Sequence, residues 1–325
     1  MTAYLLRRLL YAVPILIGVN LLTFALFFMV NSPDDMARLH LGDKHVTTEA
    51  IDSWKRARGY DRPLFYAPQE HGLSRLTETL FFQKSARLLV FDFGRADDGR
   101  DIGRDIRQRM GPSLAIAVPS LLLGLLVNIT LALGMVFVRG SRLEHTGVFV
   151  AVLAMSISTL FYIIGAQYLL AKLLRLAPVS GWLDGLAGLK FLILPLLVGV
   201  LSGLGSGMRW YRLLFLEEAG KDYVRTARAK GLPEGRVLGR HVLRNAAIPI
   251  LTGVVAVLPL LFMGSLLTES FFAIPGLGSY TIDAIQSQDF SIVRAMVFLG
   301  AVLYLLGLLL TDVSYTLADP RVRLQ

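Results

Sequence analysis

The sequence carries few groups able to do covalent chemistry. Its 325 residues include no cysteine and only five histidines, scattered along the chain. A thiolate nucleophile, a disulfide framework and a thiolate metal site are thereby excluded. Ser156, Ser158, Tyr162 and Gln167 share one apolar run with no His, Asp or Glu beside them. A hydroxyl without a base reads as a helix-packing group rather than a nucleophile. The only Gly-Lys pair, Gly220-Lys221, lacks a glycine at the spacing a phosphate loop requires. Two polar constellations remain. Arg209 to Arg244 holds nine Lys/Arg against four acids. Thr268 to Gly278 places Glu269 ahead of Phe271, Phe272, Pro275, Gly276 and Gly278. The first suits a contact with a charged partner. The second, a broken element rich in glycine and aromatics, suits a cavity wall or a gate.

The elements that position them are membrane helices. Hydrophobic residues make up 54% of the chain and charged ones 18%, with mean hydropathy +0.58 and net charge +9. A soluble domain carries about 25% charged residues, so this is the composition of a polytopic membrane protein. Six stretches approach the roughly 20 apolar residues that cross a bilayer: 9–30, 114–138, 147–171, 191–208, 246–268 and 295–311. The last extends upstream if Arg294 snorkels to the interface. The first is read as a retained anchor, because its apolar run is too long for a signal peptide and offers no small-x-small cleavage site. Arg7 and Arg8, Arg139 and Arg142, the basic loop, and Arg321 and Arg323 fall on one side if six helices alternate. The positive-inside rule then puts both termini in the cytoplasm.

Residues 31–112 are the one soluble-looking block, with 14 basic and 13 acidic residues. Its reading is a small α-rich insertion, expected outside, with a capped helix after Thr47, a turn at Gly59 to Pro63, helical periodicity over 73–89 and a turn at Asp97-Asp98-Gly99. A cap on the bundle is preferred to a docking surface. In the basic loop, 213–230 reads as helix. Gly231-Leu232-Pro233-Glu234 stops it and starts another, with Gly at the C-cap and Pro at N1. Arg236, Arg240 and Arg244 line one face of the second helix. Nucleic-acid binding is set aside, because a tethered loop with no hydrophobic core of its own is a poor reader of phosphate. Glu269 and Asp283 have two readings, contact with a substrate amino group or satisfaction by local partners, and the second is preferred. Gly203, Gly205 and Gly207 read as a close helix-packing face.

These residues resemble a known family. Asp222-Tyr223-Val224-Arg225-Thr226-Ala227-Arg228-Ala229-Lys230-Gly231-Leu232, followed by Arg240 to Pro249, is similar to the EAA loop of bacterial ABC importer permeases. The dipeptide/oligopeptide branch is the narrower match. Arg7-Arg8, Asp92 to Arg95, Pro178-Val179-Ser180-Gly181, Thr268 to Gly278 and Asp319-Pro320-Arg321-Val322-Arg323 resemble further segments of that branch. Two departures stand out: Asn31-Ser32-Pro33-Asp34-Asp35 after the first span, and residues 67–88.

The resemblance implies an all-α integral membrane protein with the six-helix fold of type I ABC importer permeases and an extracytoplasmic insertion between helices 1 and 2. Its parts would be 1–30, 31–112, a core over 113–318 that includes the cytoplasmic loop 209–245 and the outer segment 269–290, and a tail over 319–325. It implies a multi-pass subunit of the bacterial cytoplasmic membrane, in contact with membrane lipid and not with nucleic acid. A second homologous permease, two ABC ATPase subunits and an extracytoplasmic solute-binding protein would be its partners. Peptide or a related small solute would be the cargo. This chain would bind no cofactor or metal; ATP and Mg would sit on the ATPases. Asp222, Tyr223, Arg225, Thr226, Ala227, Arg228, Ala229, Lys230, Gly231 and Leu232 would couple it to them. Glu269, Phe271, Phe272, Pro275, Gly276 and Gly278 would form an outer gate or cavity wall. A stand-alone channel or carrier is the alternative, but the buried ionisable groups such a carrier generally needs are not evident in the spans.

Overall fold

The structure is a computed structural model that describes residues 2–42 and 47–318. In chain order its helices are α1 (Thr2–Ala25), α2 (Pro33–Leu41), α3 (Thr48–Arg58), α4 (Ser74–Thr77), α5 (Leu80–Lys84), α6 (Ile102–Phe137), α7 (Arg142–Ser156), α8 (Thr159–Ala166), α9 (Leu189–Ala219), α10 (Asp222–Ala229), α11 (Glu234–Arg236), α12 (Leu243–Val257), α13 (Leu266–Phe271), α14 (Leu277–Gln286) and α15 (Phe290–Ala318). Short π or 3-10 turns extend several of them. Among the described residues the only β pairing is an isolated bridge between Arg95 and Asp101. Five continuous runs are long and apolar enough to cross a membrane: Leu6–Val30, Ile102–Phe137, Leu186–Ala219, Glu234–Phe271 and Phe290–Ser314.

The third expected span, 147–171, is broken. Arg142–Ser156 and Thr159–Leu173 meet at 91°. Ile157 is extended, and the Ser158 hydroxyl accepts from the Leu160 N–H to restart the helix. Tyr162 Oη donates to the Ala154 carbonyl across the break at 2.9 Å. The polar residues read from the sequence as packing groups therefore shape the bend. Prolines 14, 112, 119, 195 and 249 all lie inside helices, as apolar spans tolerate.

The chain forms two compact units. One comprises residues 2–109 with 280–309. There, Ser32 and Asp35 make a reciprocal capping box for α2, Thr47 caps α3, and Gly59 ends α3 at φ 65°. The periodic stretch 73–89 is not one helix. Thr79 adopts extended backbone and caps α5, which divides α4 from α5, and a 3-10 turn over Ala86–Val90 ends at Phe91 with φ 60°. Phe24 and Phe28 at the end of the first span pack with Met36, Trp54, Tyr60 and Leu80. Phe24 meets Phe81 edge-on with ring centroids 5.2 Å apart. Asn20 Nδ2 donates to the Ser85 carbonyl at 2.7 Å. Arg294 does not snorkel. Only 3% of it is exposed, and it donates to the carbonyls of Phe290 and Lys84 and lies over the Phe28 ring.

The other unit comprises residues 110–279 and 310–318 within the described chain. α7 packs along α9 at Gly205, and Asn128 of α6 meets α9 at Gly207, whereas Gly203, expected on the same packing face, has open space beside it. A Cβ on Gly205 would lie 2.6 Å from Met155 Cγ, and one on Gly207 would lie 2.7 Å from Asn128 Cγ. Glu144, which is buried, pairs with Arg212 and accepts from the Gly140 N–H at 2.6 Å. The basic loop does take part in a core. Val224, Ala227, Val237, Leu238 and Val242 are buried together with Ala132, Met135, Ala151, Phe215 and Ala219. This corrects the expectation of a loop without apolar support. A separate core gathers Ile116, Ile163, Leu194, Val198, Phe272 and Ile274.

Candidate functional site

The expected helix over 213–230 is two helices. α9 ends at Ala219, Gly220 caps it, and Lys221 is extended (φ −74°, ψ 153°) before α10 begins. Asp222 then stands in the first turn, where a negative charge complements the helix dipole. Glu218 ties the two helices across the break. Its carboxylate accepts from Lys221 Nζ at 2.5 Å and from the Tyr223 hydroxyl. Burial, reinforced by that carboxylate, pushes the Tyr223 phenol up to about 12.

The C-terminus of α10 is a Schellman turn. The Gly231 N–H donates to the Arg228 carbonyl at 2.9 Å, and the Leu232 N–H donates to the Ala227 carbonyl at 3.4 Å. Gly231 sits at φ 77°, the left-handed region that side chains with a Cβ disfavour. Arg228 bridges this turn. Its Nε and Nη2 fork onto the two oxygens of Glu234 at 3.0 and 2.6 Å, and its Nη1 donates to the Ala219 carbonyl at 3.4 Å. Glu234 in turn holds the Arg228 guanidinium firmly charged. Pro233 occupies the N-cap of α11 rather than N1 as expected. Its carbonyl accepts from Arg236 and Val237.

The expected coupling residues therefore divide by role. Ala227 is buried and Leu232 packs against the same core. Tyr223 and Arg228 hold the ends of α10. Asp222, Arg225, Thr226, Ala229 and Lys230 remain on an exposed face, where Arg225 lies 3.5 Å from Asp222. Beyond the turn, Arg236, Arg240 and Arg244 are exposed as read. Glu218 and Glu234 were missed as partners. Their signals were the i,i+3 spacing to Lys221 and the placement of one carboxylate just past a glycine turn.

The second constellation closes around Glu269, which is 1% exposed. Its Oε1 accepts from the Ser265 N–H at 3.1 Å, and its Oε2 accepts from the N–H groups of Gly278 and Ser279 at 2.7 and 3.1 Å. The Ser113 hydroxyl also hydrogen-bonds to the carboxylate and accepts from the Leu277 N–H at 2.8 Å. Glu269 thus caps the first turn of α14 from a distance, satisfying donors that a helix start leaves open. The glycines make room for it. A Cβ on Gly264 or Gly276 would strike the Glu269 carboxylate, and one on Gly278 would lie 2.6 Å from the Ser265 carbonyl carbon.

Phe272 is buried and Phe271 is exposed. The Phe272 carbonyl accepts from the Gly181 N–H at 2.8 Å, and Gln167 Nε2 bridges the carbonyls of Phe271 and Val179. The motif over Pro178 to Gly181 and the motif over Thr268 to Gly278 are therefore physically joined. Beside them lies a cavity of about 320 Å3 lined by hydroxyls of Ser113, Ser120, Thr159, Ser202, Ser265 and Thr268, with Glu269 at its wall. Asp283 is exposed and belongs to the other unit. The tail motif, Asp319 to Arg323, lies outside the described residues. No cluster of metal-ligating residues occurs among the described residues.

These features define a helical, polytopic membrane protein whose most elaborate polar structure sits at the ends and breaks of its apolar spans. Two family models match the chain. The binding-protein-dependent transport system inner membrane component covers residues 128–324, and the N-terminal membrane component of the same systems covers residues 1–82. A Brucella abortus protein named as a peptide transport system permease is 32% identical over 99% of both chains. The dipeptide transport system permease protein DppB of Escherichia coli is 29% identical, and the oligopeptide transport system permease protein AppB of Bacillus subtilis is 28% identical, each also over 99% of both chains. The chain belongs to the family of inner-membrane components of binding-protein-dependent transport systems, the family of ABC importer permeases that its sequence motifs resemble.

Proposed function

We propose that this chain is the membrane-spanning permease subunit of an ATP-driven importer of peptides or a related small solute. It pairs with a second homologous permease to form the pathway. Two ABC ATPase subunits bind ATP and Mg and dock on the segment Asp222 to Leu232, and an extracytoplasmic binding protein delivers the solute. Both termini, residues 209–245 and the tail 319–325 face the cytoplasm in this reading. Residues 31–112 and the segment 269–290 lie toward the outside.

The observation that supports coupling best is the construction of α10. Its inner face is buried through Val224 and Ala227, both ends are pinned by Glu218 and by the Arg228–Glu234 fork, and its outer face is free. A helix held in this way transmits a displacement to α9 and α12 as a rigid body rather than absorbing it. The test is affinity purification of the tagged full chain from gently solubilised native membranes. Recovery of two nucleotide-binding ATPases and a second multi-span permease is the expected result. Recovery of the chain alone, under conditions that keep known complexes intact, would favour a self-sufficient channel or carrier and overturn the proposal.

A further inference from the structure

The unit formed by residues 2–109 and 280–309 contains a second cavity that the transport reading does not use. It measures about 340 Å3 and is lined by Lys84, Arg87, Arg95 and Arg294, with Asp92 and Asp101 as its only acids. The lining therefore carries four cations against two carboxylates. The acids are partly committed: Asp92 lies 3.7 Å from Arg87, and Asp101 Oδ1 accepts from the Arg104 N–H at 2.7 Å. Arg294 is the informative group. It is 97% buried, yet no carboxylate among the described residues comes within 4.0 Å of it. Its Nε and Nη1 donate to the carbonyls of Phe290 and Lys84, both at 3.3 Å, and its Nη2 makes no hydrogen bond among the described residues. Asp289 and Asp97 act on it only at longer range. A buried guanidinium without a contact ion pair is costly to maintain, and this one lines a cavity with three further cations on its walls. The crowding also shows at Lys84, whose ammonium is pushed down by burial and by the nearby Arg294 charge.

The position narrows the ligand. Arg294 lies four residues into α15, and Phe290 begins the last apolar run. At 1.5 Å per residue its Cα is about 6 Å along the axis from the helix start, near the end of the apolar run, where a spanning helix would meet the headgroup layer. Directly beside the cavity wall the chain exposes apolar side chains. Val90 is 75% exposed and Phe91, held at φ 60°, is 56% exposed. Phe91 meets the ring of Phe298, about one turn beyond Arg294 along α15, edge-on at 6.2 Å. A basic cavity at the interface with an apolar ledge next to it matches an amphiphile whose charged end is an anion.

We propose that this cavity binds a phosphate-class anion through Arg294, Lys84, Arg87 and Arg95, and that its resident ligand is the headgroup of an anionic phospholipid whose acyl chains lie along Val90 and Phe91. The site is independent of the coupling reading, and its test needs no transport.

The full chain, purified in a mild detergent and delipidated, is titrated with phosphatidylglycerol, with phosphatidylcholine and with inorganic phosphate, and bound ligand is counted by native mass spectrometry. Phosphatidylglycerol is expected to bind at one equivalent and in preference to phosphatidylcholine. The exposed pair Arg87→Ala/Arg95→Ala avoids the buried arginine. It should weaken that binding by roughly 5-fold per removed cation, about 25-fold in all. Arg294→Lys, which keeps the charge and loses the fork, should weaken it further without changing the count of phosphatidylcholine. Binding of inorganic phosphate with the same variant sensitivity, and no preference for phosphatidylglycerol, would keep the anion site and overturn the lipid as its source. Equal retention of both lipids, unchanged in the double variant, and no binding of phosphate would overturn the site itself.

Discussion

The segments around Gly231 and around Glu269 are both glycine-marked breaks between helices, yet they spend their polar groups in opposite ways. At Gly231 the carboxylates of Glu218 and Glu234 take side-chain partners at the two ends of α10, whose inner face is packed through Val224 and Ala227. Its outer face keeps Asp222, Arg225, Thr226, Ala229 and Lys230 exposed. At Glu269 every strong partner points inward, and one carboxylate gathers three backbone donors and a hydroxyl. The glycines differ accordingly. Gly231 has open space where a Cβ would go and is needed for its backbone angle, whereas Gly276 is needed because its Cβ would occupy the carboxylate's place. One segment leaves a face free of its own chain, and the other turns its polar groups onto its own chain.

The contrast breaks most visibly at Glu269. Glu269→Ala leaves the two buried N–H donors of Gly278 and Ser279 without an acceptor, each worth about 1–3 kcal/mol, and frees the part-buried Ser265 N–H as well, so a loss of at least about 2 kcal/mol is expected. Gly276→Ala, whose Cβ would lie 2.6 Å from the Ser113 hydroxyl and against the Glu269 carboxylate, should cost about 1–3 kcal/mol as overpacking. Thermal unfolding of the purified chain in detergent reads both. A melting temperature unchanged in Glu269→Ala would show that the carboxylate does not hold this turn.

At Gly231 the expected loss is smaller and of another kind. Gly231→Ala meets no neighbour within 4 Å and pays only for its left-handed backbone, about 1–2 kcal/mol. Membrane insertion and the melting temperature of the rest of the chain should change little. Gly231→Pro removes in addition the N–H that bonds Arg228, and cannot adopt φ 77° at all. Uptake by the reconstituted importer should fall in the order wild type, Ala, Pro, while the amount of inserted chain stays constant. Normal uptake in the proline variant would remove the coupling role.

How far the sequence speaks follows the same division. The apolar spans, the glycine stop at Gly231, the cap at Thr47 and the exposed row Arg236, Arg240 and Arg244 are legible, because each rests on local periodicity or on the geometry of a single residue. The bend between α7 and α8 was not. Ser158 looks like any hydroxyl in an apolar run until its backbone turns extended. Nor was the break at Lys221, where a helical pattern runs through Leu213 to Lys230 but the tie from Glu218 prefers two axes. Sequence leaves snorkelling open for Arg294 because it does not show what packs over that residue; Phe28 and the Lys84 carbonyl come from segments more than 200 residues away. Glu269 was correctly expected to find local partners, but the partners include Ser113, which is distant in the chain and placed by α6.

The smallest structural effect is expected at Arg225, and it sharpens the comparison most. Its side chain is 74% exposed, and its one recorded ion pair, at 3.5 Å, is to an Asp222 that is almost wholly in solvent. Such a pair contributes little, so Arg225→Ala should leave stability within about 0.5 kcal/mol of wild type. If the exposed middle of α10 is a docking face, the same substitution should reduce recovery of the ATPase subunits with the tagged chain at low salt, and the difference from wild type should shrink as salt rises, because an exposed contact between charges is screened. Arg225→Lys, which keeps the charge, should restore part of that recovery. A stable Arg225→Ala chain that still brings down its ATPases at every salt concentration would mean that the contact is carried by the ends of α10 and not by its free face. The distinction between a segment built for a partner and one built for its own fold would then have to be drawn at Gly231 itself.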